Sequence, residues 1–139
     1  MIVYYLSNKK CLKTILRGRF FFIWRDFVGI LVNGSEWNIL EKTQKEVVDK
    51  YNEAYDEDAK CVFGLTRFKE YEIWINKEMC LEQKIKTLKH ELTHCYIFMY
   101  GLGQVPHFTE EMVCDLVSAI TEFIDESVER YKSEMVQND

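Results

Sequence analysis

The stretch "KHELTHCY" at positions 89 to 96 contains His90, Glu91 and His94 in a His-Glu-x-x-His arrangement. On a helix, residues four apart lie about 40° from each other and one turn along the axis. That spacing lets two imidazoles reach one metal ion. Glu91 is turned about 100° from His90, too far round to join the pair easily as a ligand but able to reach a metal-bound water. Zinc chemistry of this kind uses three protein ligands and keeps one position open. The metal lowers the pKa of its water, and the glutamate takes the proton as a carbonyl is attacked.

The competing explanation is a pair of core histidines. Core histidines belong in the apolar stripe of their helix, and Leu81, Ile85, Leu88 and Leu92 lie roughly opposite these two. The imidazoles therefore form a second face that another element must cover. The last helix is the candidate, because its "TEEMVCD" places Glu111 and Asp115 four apart on one face. Glu111 is the expected third ligand. Asp115 is expected to accept the free N–H of a ligand imidazole, His90 first, which fixes its tautomer. Glu110 stands as an alternative to Glu111, exchanged by a one-residue shift of the helix start. His107, in a loop beside Pro106, is a further candidate, better suited to a surface or transition-state role. A third histidine in the metzincin position is excluded, since Tyr100 stands there with no intervening glycine.

The elements that must hold these groups can be read from pattern. "GRFFFIWRDF" and "GILVNGSEWNIL" are β-like, with turn signals at Gly29 and at Asn33-Gly34. Thr43 and Glu46 form a capping box, and Val47, Val48, Tyr51, Ala54 and Tyr55 continue as a helical stripe. "KCVFGLT" and "EYEIWIN" predict a hairpin joined by "RFKE". In the second strand Tyr71, Ile73 and Ile75 face the core, and Glu72, Trp74 and Asn76 a cleft or solvent. A long helix follows from Leu81 to Tyr100, capped by Gly101, and a final one runs from about Thr109 into the 130s. The whole is expected as one α+β domain over residues 1–139: a β-rich part at 1–42, a core at 43–135, and a frayed tail at 136–139.

Composition narrows the function. With 47% hydrophobic and 14% aromatic residues, the 139-residue chain has enough apolar material for one core. A net charge of −5 argues against electrostatic capture of nucleic acid and favours a protein, peptide or small substrate. The five cysteines are scattered, without a C-x-x-C pair, so neither a disulfide framework nor a cysteine zinc knuckle is indicated. A reducing, cytoplasmic setting is expected. Cys95 and Cys114 adjoin the motifs but are better explained by packing than by redox chemistry. "FFFIWRDFVGILV" follows several cations yet is interrupted by Arg25 and Asp26 and is too short to span a bilayer, so buried strands are expected rather than a leader or an anchor.

The blocks "FGLTRFKEYEIWIN", "KTLKHELTHCYIFMYG" and "FTEEMVCDLV" together resemble the gluzincin pattern of zinc peptidases. More narrowly, they resemble the small phage- and mobile-element-associated peptidases of the ImmA/IrrE-like group. The resemblance covers about residues 61 to 118. It implies a minimal zincin-like fold, a small mostly antiparallel sheet packed on the metal helix and on a ligand-bearing C-terminal helix. His90, His94 and Glu111 match the family's zinc ligands, Glu91 its general base and Asp115 its bracing acid. The family's substrate-binding edge strand would correspond to "EYEIWIN", making Glu72, Trp74 and Asn76 substrate contacts by strand addition. The chain departs from the broad pattern in its short gap from His94 to Glu111 and has no matched oxyanion-stabilising histidine or tyrosine. The expected function is zinc-dependent hydrolysis of a peptide bond in a protein or peptide, acting on a regulator or host factor. Two alternatives stand beside it: a zinc-containing protein-binding module, and a zinc amidase or deformylase-like hydrolase.

Overall fold

The computed structural model describes residues 3–5, 11–16, 19–24, 27–104, 107 and 109–135, with the segments before residue 27 and positions 110, 111 and 114 described by their backbone. The predicted tail at 136–139 lies outside the described residues.

The described residues form two sheets. The first is an antiparallel meander of β1 (Val3–Tyr5), β2 (Cys11–Leu16) and β3 (Arg19–Trp24). The second holds β4 (Phe27–Val32), β5 (Ser35–Lys42), β6 (Gly64–Arg67) and β7 (Glu72–Asn76) in the order β4-β5-β7-β6. Its two hairpins are antiparallel and β5 pairs with β7 in parallel. Residues 27–42, grouped by sequence with the N-terminal part, thus supply half of the core sheet. The chain is α+β as expected, with one parallel pairing in its mixed sheet.

Local chemistry explains most boundaries. Asn33 and Gly34 turn β4 into β5 with φ of 47° and 77°, the left-handed pair that tight hairpins require. Gly29, read as a turn signal, lies inside β4. Helix α1 (Gln44–Tyr55) starts at the predicted capping box, Thr43 accepting from the Glu46 amide while Glu46 accepts from the Thr43 amide. Its stripe buries only Val47 fully, and Ala54 and Tyr55 are exposed. Helix α2 (Leu81–Met99) ends before Gly101, whose φ is 67°. A short 3-10 turn, Leu102–Gln104, leads towards α3 (Glu110–Met135).

One face of the second sheet carries the core. Val28, Ile30 and Val32 alternate along β4, Trp37 and Ile39 along β5, and Ile73 and Ile75 along β7. Leu88, Leu92 and Cys95 of α2 and Val128 and Tyr131 of α3 close over them. Leu81, placed in the stripe by its spacing, is 43% exposed, and its neighbours Glu82 and Gln83 in the first turn of α2 are exposed as well. Polar ties fix the layers: Glu41 of β5 accepts from Lys84 of α2 at 2.9 Å and from the Tyr131 hydroxyl of α3. Asn33 donates to the Met99 carbonyl at 3.0 Å, holding the hairpin tip to the end of α2.

Candidate metal centre

His90, Glu91 and His94 lie in the middle of α2, where the helix is pressed on the sheet on one side and open on the other. Leu88, Leu92 and Cys95 are fully buried, whereas His90 and His94 are exposed. The imidazoles therefore stand outside the apolar stripe, as the helical wheel predicts. Their rings meet edge to face with centroids 4.7 Å apart. The two Nε2 atoms lie 3.1 Å apart, close enough for one to donate to the other. Two zinc-bound imidazole nitrogens, each about 2.0–2.1 Å from the metal, stand about 3.3 Å apart at a tetrahedral angle. The observed separation is thus close to one edge of such a tetrahedron.

Glu91 is held differently. It is 7% exposed and points to the edge strand β6, where the buried Thr66 hydroxyl donates to its Oε2 at 2.6 Å. The same hydroxyl lies 3.3 Å from the Glu91 carbonyl oxygen. Gly64 sits two residues earlier on the same face of β6. A Cβ there would stand 2.6 Å from Thr87 Cγ2 and 3.0 Å from Glu91 Oε1. Glycine is therefore what allows the strand to approach the carboxylate so closely. Neither Gly64 nor Thr66 was singled out as a site residue from sequence. The available signals were a glycine in a strand and a threonine on its core-facing side.

The other expected contributors are placed elsewhere. Helix α3 runs antiparallel to α2: Tyr131 and Lys84 meet at Glu41, Tyr96 packs on Phe123 at 5.7 Å, and Leu102 shares a groove with Met112. The first turn of α3 therefore lies near Leu102, roughly two helical turns beyond His94. Asp115 lines a groove with Tyr96, Tyr100, Leu102, Met112, Leu116 and Ala119. Among the described residues it makes no hydrogen bond to either imidazole. The expectation that the last helix covers the histidines is not met, since α3 lies along the Tyr96 and Tyr100 flank of α2 and both imidazoles remain exposed. The side chains of Glu110 and Glu111 lie outside the described residues, as does that of Cys114. His107 is exposed with φ of 62°. Among the described residues no three His, Cys, Asp or Glu side chains form a ready metal cluster.

The expected substrate strand needs correction. β7 is not an edge strand, because β5 and β6 occupy its two sides. Its register also pairs Ile73 with Thr66, so Glu72, Trp74 and Asn76 point to the opposite face from Glu91. There Glu72 accepts from Arg67 at 2.6 Å and from the Trp74 indole at 2.8 Å. The Trp74 ring lies between Arg67 and Lys42, 4.6 and 5.1 Å from its centroid. Asn76 is buried, donating to Gln44 at the start of α1 and accepting from the Glu78 amide at 3.0 Å. Asn76 ties the sheet to the start of α1, while Glu72 and Trp74 make their contacts within the sheet. The edge strand next to Glu91 is β6.

Burial pushes the Cys95 thiol up to about 12, so it remains protonated and inert at neutral pH, consistent with packing. No helix among the described residues is long and apolar enough to cross a membrane. Comparison of the chain with protein families, characterised proteins and solved structures gives no match.

Proposed function

We propose that the protein is a zinc-dependent peptidase in which His90 and His94 supply two metal ligands and Glu91 moves the proton of the attacking water. The observation that carries this is the convergence of the two Nε2 atoms to 3.1 Å beside a buried, hydrogen-bonded glutamate. When bound, zinc acidifies water and polarises a carbonyl. Thr66 fixes one oxygen of Glu91 and leaves the other for proton transfer. That fixation restricts the carboxylate to a narrow range of positions, as general-base catalysis requires. The outer edge of β6, next to Glu91, suits an extended peptide added as a further strand. Substrate therefore lies along β6 rather than β7.

Elemental analysis and a cleavage assay on the full chain test the proposal. Wild-type protein should bind one zinc per chain, His90→Ala should lose it, and Glu91→Gln should keep it while losing cleavage by a factor of about 100 or more. Glu111→Gln tests the carboxylate that the resemblance assigns to the third position, and weakened zinc binding would place it there. Unchanged binding there would assign the third position to another donor. A folded wild type that takes up no zinc would end the peptidase proposal, and undiminished biological activity in Glu91→Gln would leave a metal-holding binding module.

A further inference from the structure

A second feature lies on the other flank of α2. Tyr96 is two residues past His94, about 200° round the helix, so it faces away from the imidazole pair. Tyr96 and Tyr100 stack with centroids 4.3 Å apart, and Tyr100 is 47% exposed. Two adjoining cavities of about 250 and 270 Å3 share Tyr96, Tyr100 and Ala119 in their walls, making one furrow between α2 and α3. It runs from the β4–β5 turn at Leu31 and Asn33 to Leu102 and Met112.

The two walls differ in chemistry. The α2 wall is aromatic. The α3 wall carries Asp115, Glu122 and Glu126, all exposed, on one face with Ala119 between them. No lysine or arginine is among the described lining residues. Carboxylates further along α3 are neutralised locally, Glu129 by Lys132 at 2.7 Å and Glu134 by Arg130 at 3.8 Å. The three at the furrow have no cationic partner among the described residues. An aromatic floor under unpaired carboxylates matches a lysine or arginine side chain, whose methylenes lie on the rings while its charge meets the acids.

We propose that this furrow is a docking site for a basic peptide segment of a partner protein, engaged through lysine or arginine side chains. The site is separate from the imidazole pair and does not depend on the peptidase proposal. It would hold a partner whether or not that partner is cleaved.

The test uses the full chain and two fluorescein-labelled twelve-residue peptides, one alternating lysine with leucine and one alternating glutamate with leucine. Fluorescence anisotropy at low salt should show saturable binding of the lysine peptide only, weakened as salt rises. The exposed double substitution Glu122→Gln with Glu126→Gln should weaken it about tenfold, the scale of two surface ion pairs. Tyr100→Ala should weaken it further, and His90→Ala should leave it unchanged. Equal binding of both peptides, or lysine-peptide binding indifferent to the double substitution, would overturn the proposal. Sedimentation gives the remaining outcome: self-association abolished by the double substitution would assign the furrow to a second copy of this chain and overturn the partner assignment.

Discussion

The two halves of α3 are built under opposite constraints. Its C-terminal half is embedded: Val128 and Tyr131 are buried, Tyr131 reaches Glu41, and Arg130 donates to the Gly29 carbonyl at 2.8 Å. Its N-terminal half passes the end of α2, and there Val113 and Val117 are 45% and 56% exposed. Both halves show the same apolar periodicity in sequence. The difference arises because α2 ends at Met99, so only the later turns of α3 find a helix and a sheet to pack against. Periodicity states which side of a helix is apolar, and the length of the neighbouring element decides how much of that side is buried.

The largest effect should follow from breaking the embedded half. Tyr131→Ala removes a fully buried ring and a tie to Glu41, and should cost about 3–5 kcal/mol in chemical denaturation. A loss below about 1 kcal/mol would mean that α3 is less firmly docked than its contacts indicate. The β6 contact with Glu91 should come next. Gly64→Ala drives a methyl group into Thr87 and Glu91 and should cost about 1–3 kcal/mol. In Thr66→Val the buried carboxylate loses its donor, and a loss of about 1–3 kcal/mol is expected. If either change is neutral, Glu91 is not held against the strand. At the exposed end, Val117→Ala should change stability by less than about 0.5 kcal/mol. A greater loss would show that something covers this face.

The same contrast separates what was legible from what was not. The α1 cap, the β6–β7 hairpin, the span of α2 and the outward face of His90 and His94 all follow from neighbours within a few residues. Thr43 and Glu46 complete each other's hydrogen bonds, and four-residue spacing alone puts two imidazoles together. The position of β7 inside the sheet was not legible, because an alternating strand looks the same at an edge or in the interior until its neighbours are known. Nor could the direction in which Asn76 points be turned into a cleft position, since α1 covers that face.

By itself, the sequence determined a helix bearing two imidazoles and a glutamate at metal-binding spacing, the caps and turns that bound it, and an α+β class. Tertiary structure alone decided that β6 is the strand meeting Glu91, that Gly64 and Thr66 set that contact, and that Asp115 lies beside Tyr96 and Tyr100. The physical reason is range. Helical spacing and capping act over one turn of chain, whereas strand order and helix register depend on surfaces brought together from distant parts of it.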